Sequence, residues 1–537
     1  MTPSYRLRRI TMGICAAASG AVLLTSCSSA PSAAPADPSA AASGFVGTQS
    51  EAADPVTGGV LRFGAFSLPG SFDPARTVPS GSTGGTELAA VYDLLVRYEA
   101  ETGTYEPQLA QDLRVDDTGT AWTLTLRNGV TFSNGEPVDA AAVVGSIDRF
   151  VSNKGTDSQL WARTVQSTTA TAPDTVVFEL AEPWEQFPVM LATGAGMIVA
   201  PAGYAGPEFT PIGAGPFVLD RLAPGHEIVL TRRDDYWGGR PNLDEIRVTA
   251  PSGGQMQVDM FHAGELDMVY VYEEEVAKTF RDEDLPGYLQ ITNAGSAILV
   301  NNAEGRPGAD VRVRQALQRA IDPALVDSRA QAGLGRPGTA LFQPTSRWAT
   351  DQPANRFDPD AARELLSQAK SDGYDGRITF VTRQTPEAQS RALALQALLD
   401  AVGFDTTIEY VTDITESIRR VNVNRDYDIA QTGFNIRDDV PLLKLYQVFH
   451  SASSSNASNY ADPQMDRLLG QLQSARGDEE TRNVIADIEQ LTTETVPAIP
   501  LAAQDNMVVW APDVHGVKHS FAEIMLLDDA WTAGATR

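Results

Sequence analysis

Two hydrophobic periods alternate along most of the chain. Runs of period two predict strands, and longer runs with apolar residues three or four positions apart predict helices. Strands are predicted at Gly59–Phe66, Ala121–Arg127, Thr175–Leu180, Glu227–Arg232, Ile378–Thr382 and Thr406–Val411. Helices are predicted at Glu87–Arg97, Asp139–Phe150, Val311–Ile321, Ala361–Ala369 and Gln389–Val402. The mixture predicts an α/β protein, or a mixed α+β protein with more than one sheet.

One stretch predicts a specific topology. The helix Gln389–Val402 lies between the strands Ile378–Thr382 and Thr406–Val411. A strand, a helix and a second strand at this spacing form a βαβ unit, in which the two strands are parallel and the helix crosses over between them. We therefore expect at least part of one sheet to be parallel.

The N-terminus has the pattern of an export signal. Three arginines within the first nine residues precede an apolar run from Ile10 to Leu24. The run is too short to span a bilayer and small residues follow it, so residues 1–26 are predicted to be a secretory signal peptide. Leu24-Thr25-Ser26-Cys27 looks like a bacterial lipobox, which would place a lipid on Cys27. The alternative is an ordinary signal peptide with an incidental cysteine. The export route, Sec or twin-arginine, is left open by the sequence.

The segment after Cys27 lacks a periodic apolar pattern. Residues 27–55 are rich in Ala, Ser, Pro and Gly, which predicts a disordered tether. No later segment approaches 18 uninterrupted apolar residues, so no transmembrane helix is expected. A lipidated Cys27 would thus hold the protein on the extracytoplasmic face of the cell membrane.

Composition narrows the classes of partner. The 537 residues carry 41 Lys and Arg against 69 Asp and Glu, a formal net charge of −28. Such a surface repels phosphates, so a nucleic-acid partner is excluded. Both cysteines, Cys15 and Cys27, belong to the N-terminal segment, which leaves the rest of the chain without a disulfide, a Cys-ligated metal or a thiol nucleophile. The length suits two or three domains.

A search for catalytic motifs finds none that is complete. His515 and His519 are four residues apart, but no carboxylate follows at metal-ligand spacing, so both are expected to be surface histidines. The run Glu273-Glu274-Glu275 is expected to be a solvated helix N-terminus, where carboxylates favour the helix dipole. We expect no enzymatic activity, no cofactor and no metal site.

Six motifs, in order over about residues 58–520, resemble one known family. They are Leu126–Gly135, Pro211–Phe217 followed by Asp235–Asp244, Ala263–Asp267, Asp310–Asp322, Tyr460–Pro463 and Pro497–Pro500. The sequences Pro-Ile-Gly-Ala-Gly-Pro-Phe and Asp-Tyr-Trp-Gly-Gly-Arg-Pro-Asn-Leu-Asp are the most specific. The family is that of the family 5 extracellular solute-binding proteins of ABC importers, the oligopeptide, dipeptide and nickel type.

The resemblance implies a periplasmic-binding-protein-like fold, in which two lobes close around a hinged cleft. Lobe I would comprise residues 56–85, 205–300 and 495–537, and lobe II residues 301–494. Residues 86–204 would form an additional inserted domain. The implied function is capture of a solute by lobe closure and its delivery to permease subunits, by a protein that we expect to be a monomer.

The resemblance also points to candidate ligand residues in lobe II. In peptide-binding relatives, an Asp in a Gly-aromatic segment pairs with the peptide's amino group; the corresponding segment here contains Phe434, Asn435, Arg437, Asp438 and Asp439. The family's Asp position falls on Arg437, which would suit a carboxylate or a phosphate instead. Asp438 and Asp439 remain candidates, with a solvated loop or a helix cap as the alternative.

Four further residues are predicted to line the pocket. Arg383 follows the strand Ile378–Thr382, near where dipeptide-type relatives place an Arg for the ligand carboxylate, and cleft residues are expected at the carboxyl ends of parallel strands. Phe66 and Trp184 could form walls of the pocket, and Asn302 could bond ligand backbone. The alternative for Phe66, Trp184 and Asn302 is a structural role as core or cap.

The leading hypothesis is a lipid-anchored importer subunit for a short peptide or peptide-like solute. On the same scaffold, the alternative is a binder of nickel, a metal chelate or another small solute. Two alternatives belong to other functional classes. An anchored surface hydrolase would need a nucleophile–base pair, and an adhesion-type lipoprotein would need an exposed binding patch rather than a cleft.

Overall fold

The computed structural model describes residues 42–49, 54–352, 356–412 and 414–534. The predicted signal peptide, Cys27 and most of the predicted tether lie outside these residues. Within the described ranges, no helix has both the length and the apolar character needed to cross a membrane.

The strands are short, except for two near the middle of the main sheet. In chain order they are β1 Gly44–Val46, β2 Val60–Gly64, β3 Val96–Glu99, β4 Thr104–Pro107, β5 Ala110–Val115, β6 Ala121–Leu126, β7 Val165–Ala172, β8 Thr175–Leu180, β9 Phe217–Ala223, β10 Glu227–Arg232, β11 Glu245–Thr249, β12 Met268–Val271, β13 Gly287–Val300, β14 Arg336–Pro337, β15 Arg377–Arg383, β16 Asp405–Val411, β17 Ile429–Thr432, β18 Ala498–Trp510, β19 Val514–His515, β20 Lys518–His519, β21 Met525–Leu526 and β22 Trp531–Thr532.

The helices are concentrated in the second half of the chain. They are α1 Gly85–Tyr92, α2 Ala140–Ser152, α3 Ser158–Thr164, α4 Gly254–His262, α5 Glu274–Asp282, α6 Val311–Ala320, α7 Pro323–Ala330, α8 Pro359–Ser371, α9 Pro386–Val402, α10 Ile414–Ser417, α11 Pro441–Phe449, α12 Pro463–Ser474 and α13 Gly477–Thr495. A π-helical turn, Ile418–Val423, follows α10 directly.

A twelve-stranded sheet runs through the molecule. Its strand order is β16-β15-β17-β13-β18-β12-β2-β11-β10-β9, with β1 added to β13 and β14 added to β18. The long strands β13 and β18 are antiparallel neighbours, and their register shifts between Thr292 and Ala297. The strands on either side of this pair form two halves of the sheet, so β13 and β18 belong to both.

The predicted βαβ unit is confirmed. The strands β15 and β16 are parallel neighbours in register from Arg377↔Asp405 to Arg383↔Val411, and α9 connects them. Buried Leu395 and Leu399 of α9 belong to the same core as Phe380 of β15. The strands β8 and β10 have the predicted bounds.

The predicted helix Glu87–Arg97 is wrong in its second half. Helix α1 ends at Tyr92, and Asp93 adopts a left-handed φ of 61°. The Asp93 carboxylate is held there by the side chains of Tyr236 and Trp237, which donate hydrogen bonds of 2.8 and 2.9 Å. Burial of this group raises the pKa of Asp93 to about 6. Tertiary contacts thus stop a helix that the local apolar period would continue.

Part of the predicted tether is a strand. Residues Gly44–Val46 (β1) pair antiparallel with Gly287–Leu289 of β13. The Phe45 ring contacts Tyr288 and Trp510 edge-on, with ring centroids 5.4 and 6.3 Å apart. An aromatic side chain packed against two others and a row of backbone hydrogen bonds explain why this short segment is ordered, although its composition predicts disorder.

A separate four-stranded sheet, β5-β6-β8-β7, lies within the region predicted as an inserted domain. Aromatic residues fill its core: Trp161 and Phe178 both contact the buried Phe187, with ring centroids 5.7 and 5.4 Å from that ring. Asp139 caps α2 beside this sheet, since its side chain accepts a hydrogen bond from the Ala142 amide.

Candidate functional site

A cavity of about 390 Å³ lies where the two halves of the main sheet meet. One wall comes from the ends of β2 and β12, and the opposite wall comes from β15, α9, the π-helical turn and β17. Its floor is formed by β13 and β18 near their register shift, through Gly295, Ser296, Gln504 and Asn506. We call this cavity the cleft. It lies at the carboxyl ends of parallel strands, the usual position for ligand sites in α/β sheets.

Three aromatic side chains form one wall of the cleft. Phe66 follows β2, and its ring centroid lies 4.6 Å from that of Tyr272 and 6.3 Å from that of Tyr270. Phe66 is 39% exposed although it is large and apolar. An exposed ring beside the buried Tyr270 and the half-buried Tyr272, facing a cavity, is typical of a surface that a ligand covers.

Arginine side chains lie on the opposite wall. Arg383 is the last residue of β15; it is exposed, and no ion-pair partner for it is found within the described ranges. Arg391 of α9 is buried and pairs with Glu387 one turn earlier. Burial raises the pKa of the Tyr272 hydroxyl, while the positive charges of Arg383 and Arg391 oppose the rise, so the two walls interact electrostatically.

Arg437 also lines the cleft, but a partner occupies its guanidinium. Its Nε and Nη2 donate hydrogen bonds of 3.0 and 2.7 Å to the two carboxylate oxygens of Glu523. The Glu523 side chain is only 1% exposed. Burial opposes the Arg437 charge, yet the attraction of Glu523 prevails and the pKa of Arg437 is raised. Arg437, the residue predicted to bind a carboxylate or a phosphate of the ligand, therefore already forms an ion pair within the protein, at the wall of the cleft.

Asp438 and Asp439 lie on the other side of their segment. Both line a different cavity, of about 310 Å³. Asp438 accepts hydrogen bonds from Asn293 (2.7 Å) and Ser346 (2.6 Å), and Asp439 accepts one from the Tyr98 hydroxyl (2.8 Å). Burial raises the pKa of Asp439. The structure thus does not bring these carboxylates into the cleft, and it does not match the alternative of a solvated loop or a helix cap either: both are half-buried and bonded to side chains of other segments.

Asn435, from the same segment, does line the cleft. It has a left-handed φ of 54°, and its Oδ1 accepts a hydrogen bond of 3.1 Å from the Thr292 hydroxyl. Its neighbour Phe434 turns the other way: it is 5% exposed and contacts Phe449 edge-on at 5.9 Å. The alternation along the segment therefore separates one cleft residue from one core residue.

Trp184 and Asn302 lie away from the cleft. Trp184 is 2% exposed in the aromatic core beside the four-stranded sheet, where its ring centroid is 6.0 Å from that of Phe187. The Asn302 side chain donates hydrogen bonds to the carbonyls of Val300 (2.8 Å) and Ser458 (3.3 Å), bracing a loop. For both residues, the positions match the structural alternative rather than the predicted pocket role.

The prediction of surface histidines is wrong for His519. It is 3% exposed, and its ring stacks on Tyr288 with centroids 3.5 Å apart. Burial lowers the pKa of His519 well below its usual value, so the ring is neutral at pH 7. His515 stacks on Trp531 at 4.1 Å. In the part of the chain that the structure describes, no group of three or more His, Cys, Asp or Glu side chains is placed to hold a metal ion.

Glu274 is also more buried than predicted. It is the first residue of α5, but it is 4% exposed rather than solvated. Its Oε1 accepts a hydrogen bond of 3.3 Å from Gln504, a residue of the cleft floor. Burial, with a further contribution from the charge of Asp505, raises the pKa of Glu274 to about 8. This acid is therefore largely neutral at pH 7.

Sequence reasoning missed several residues of the cleft. Tyr270 and Tyr272 belong to and follow β12, and their spacing of two, directly after the Ala263–Asp267 motif, is a signal that could have indicated them. Ser296 lines the cleft, is 9% exposed, and its buried hydroxyl has no hydrogen-bond partner within the described residues. No sequence signal distinguishes that serine from any other.

Comparison with known proteins places the geometry in context. The chain is 24% identical over 507 residues to the probable di/tripeptide-binding protein 5 of Pseudomonas aeruginosa, covering 86% of this chain and 94% of that protein. It is 24% identical over 456 residues to the nickel-binding periplasmic protein of Escherichia coli, covering 80% and 87% respectively.

A solved structure shows the same fold. The ABC transporter-associated periplasmic binding protein DppA from Helicobacter pylori, in complex with the peptide STSA, superposes with a TM-score of 0.76 at 22% identity, covering 89% of this chain and 98% of that one. The family described as bacterial extracellular solute-binding proteins, family 5, middle region, matches residues 104–456. With two thirds of its length matched, the chain belongs to the family 5 bacterial extracellular solute-binding proteins.

Proposed function

We propose that the protein is the lipid-anchored substrate-binding subunit of an ABC importer and captures a short peptide or peptide-like solute in the cleft. One observation carries the proposal: an exposed Phe66 and an exposed Arg383 lie on opposite walls of the same cavity. A peptide-like solute offers an apolar side chain and a terminal carboxylate to these two groups. A relative named as a di/tripeptide-binding protein and a neighbour holding a peptide support this choice.

Capture would proceed by closure of two lobes about β13 and β18. Lobe I would comprise residues 56–85, 205–300 and 495–537, lobe II residues 301–494, and the inserted domain residues 86–204. Two of these limits are supported by the sheet, because β13 ends at Val300 and β18 begins at Ala498. A ligand that contacts both walls is bound fully only in the closed form and so shifts the population toward closure.

The proposed location is the extracytoplasmic face of the cell membrane, with a lipid on Cys27 as the anchor. Relatives are periplasmic proteins, which supports export. The proposed partners are the permease subunits of the importer, and the proposed state is a monomer.

A calorimetric titration of purified protein tests the proposal. The protein is first unfolded and refolded to release any retained solute, and then titrated with dipeptides and tripeptides, both free and N-acetylated. We expect saturable binding with one site per chain, and loss of more than tenfold in affinity for Arg383→Gln. Absence of binding to every peptide would contradict the proposal. Binding of a nickel–histidine chelate alone would favour the metal-chelate alternative, for which Arg383 supplies a positive charge but the described residues supply no ligand cluster.

A further inference from the structure

We infer that the cleft selects a solute that carries a carboxylate and no ammonium group, such as a short peptide whose amino end is acylated. The inference rests on the proposed function and narrows its substrate class. An ordinary short peptide is a zwitterion, so it needs one positive and one negative partner in the site. The cleft offers an unpaired partner of the first kind only, because its one lining carboxylate, Glu387, is paired with Arg391.

The charges that line the cleft can be paired completely except for one. Glu387 is the one carboxylate among the described lining residues, and it pairs with Arg391. Arg437 pairs with Glu523 behind the wall. Arg383 is left over, exposed and without an ion-pair partner among the described residues. The cleft therefore carries one unmatched positive charge, although the chain as a whole has a net charge of −28.

The carboxylates that follow Arg437 in the chain, Asp438 and Asp439, cannot turn into the cleft at low energetic cost. Asp438 accepts hydrogen bonds from Asn293, Ser346 and the Arg347 amide, at 2.6 to 3.0 Å. Rotation toward the cleft would break all three bonds and leave their donors unsatisfied. Asp439 is held by the Tyr98 hydroxyl at 2.8 Å. An ammonium group in the closed cleft would thus be desolvated without an unpaired anionic partner, which is strongly unfavourable.

The remaining polar lining is neutral and suits amide groups. Five carboxamide side chains face the cavity: Asn422, Gln431, Asn435, Gln504 and Asn506. The hydroxyl of Ser296, buried and without a partner, adds a donor or an acceptor on the floor. These groups can bond peptide N–H and C=O groups, including those of an acyl cap, but none supplies a negative charge. The wall of Phe66, Tyr270 and Tyr272 can cover an apolar side chain or acyl chain.

Competition between two matched pools tests the inference. A pool of dipeptides and tripeptides is divided, and one half is N-acetylated with acetic anhydride. The refolded full-length protein is offered both halves at equal concentration, and the retained species are identified by native mass spectrometry. We expect the acetylated members to be retained at least tenfold over their free counterparts.

Three variants separate the charge argument from a general loss of binding. Arg383→Gln should reduce retention of acetylated peptides by at least tenfold, because it removes the unmatched positive charge. Arg377→Gln, an exposed arginine at the other end of the same strand, should leave retention unchanged. Gln431→Glu adds a carboxylate of the same shape, which can still accept the Thr382 hydrogen bond, and should shift the preference toward free peptides.

The outcomes distinguish the inference from the proposed function. Equal or greater retention of free peptides would overturn the inference and leave the peptide-binding proposal standing. Retention of neither pool would overturn both. Acetyl preference that survives unchanged in Arg383→Gln, or that does not fall in Gln431→Glu, would show that the charge of the cleft does not set the selection, and would also overturn the inference.

Discussion

Glu274 makes the stability of this protein depend on pH in a direction opposite to that of most surface carboxylates. Its burial beside Asp505 raises its pKa from 4.5 in a model compound to about 8. At a pH between these two pKa values, Glu274 is protonated in the folded protein and ionised in the unfolded chain. Raising the pH therefore favours unfolding, and the contribution of the neutral acid, complete below the unfolded pKa, is lost as the pH rises toward the folded pKa.

The size of the effect follows from the number of protons linked to unfolding. One proton corresponds to about 1.4 kcal/mol per pH unit, so between pH 5.5 and 7.5 the free energy of unfolding should fall by roughly 2 to 3 kcal/mol because of Glu274. Glu274→Gln keeps the shape and neutrality but cannot release a proton. The difference in stability between the variant and the wild type should thus be small at pH 5.5 and favour the variant by about that amount at pH 7.5.

Urea unfolding at a series of pH values, followed by tryptophan fluorescence, measures this difference. Glu275→Gln is the matched control, because the next residue of α5 is exposed. Other titrating groups are common to the variant and the wild type, so they cancel in the comparison. A difference between Glu274→Gln and wild type that stays constant from pH 5.5 to 7.5 would refute the reasoning.

Three further predictions concern the ion pair, the core and the anchor. Glu523→Gln should destabilise the protein by about 3–5 kcal/mol, measured by urea unfolding, because it leaves the buried Arg437 charge without its partner; a loss below about 1 kcal/mol would contradict this. Trp184→Ala should cost about 3–5 kcal/mol through the cavity it leaves, while calorimetry should show unchanged ligand affinity because Trp184 lies outside the cleft; weaker binding by the folded variant would show otherwise. Cys27→Ala should release the exported protein from the membrane fraction, as followed by immunoblotting, and retention would contradict a lipid anchor.

The sequence predicts local structure best where one element satisfies its own apolar period. The strands β8 and β10 and the unit formed by β15, α9 and β16 agree with prediction, since each has a clear alternation or stripe and distinct end signals. Helix α1 was predicted too long because its end is fixed by Asp93, whose partners Tyr236 and Trp237 lie more than a hundred residues further along the chain. Local periodicity contains no information about such contacts.

In the candidate site, too, the features set by local sequence could be predicted and those set by distant contacts could not. Arg383 and Phe66 could be placed in the cleft because they lie at the carboxyl ends of strands, and the ends of parallel strands meet at one edge of a sheet. The partner of Arg437 could not be predicted, since Glu523 is 86 residues away in sequence. The burial of Glu274 and His519 was missed for a related reason: in sequence they lie beside polar residues, and distant strands and rings cover them.

The short strand β1 determines where the predicted tether would join the folded protein. It bonds to Gly287–Leu289 of β13, a strand shared by both halves of the main sheet. Between a lipidated Cys27 and Ser43 the chain can extend at most about 55 Å. If the lobes close about β13 and β18, as proposed, the tether joins the protein close to the axis of rotation. Opening and closing would then not change the distance that the tether must span. With the proposed lipid on Cys27, lobe closure would therefore leave the attachment point of the tether unchanged.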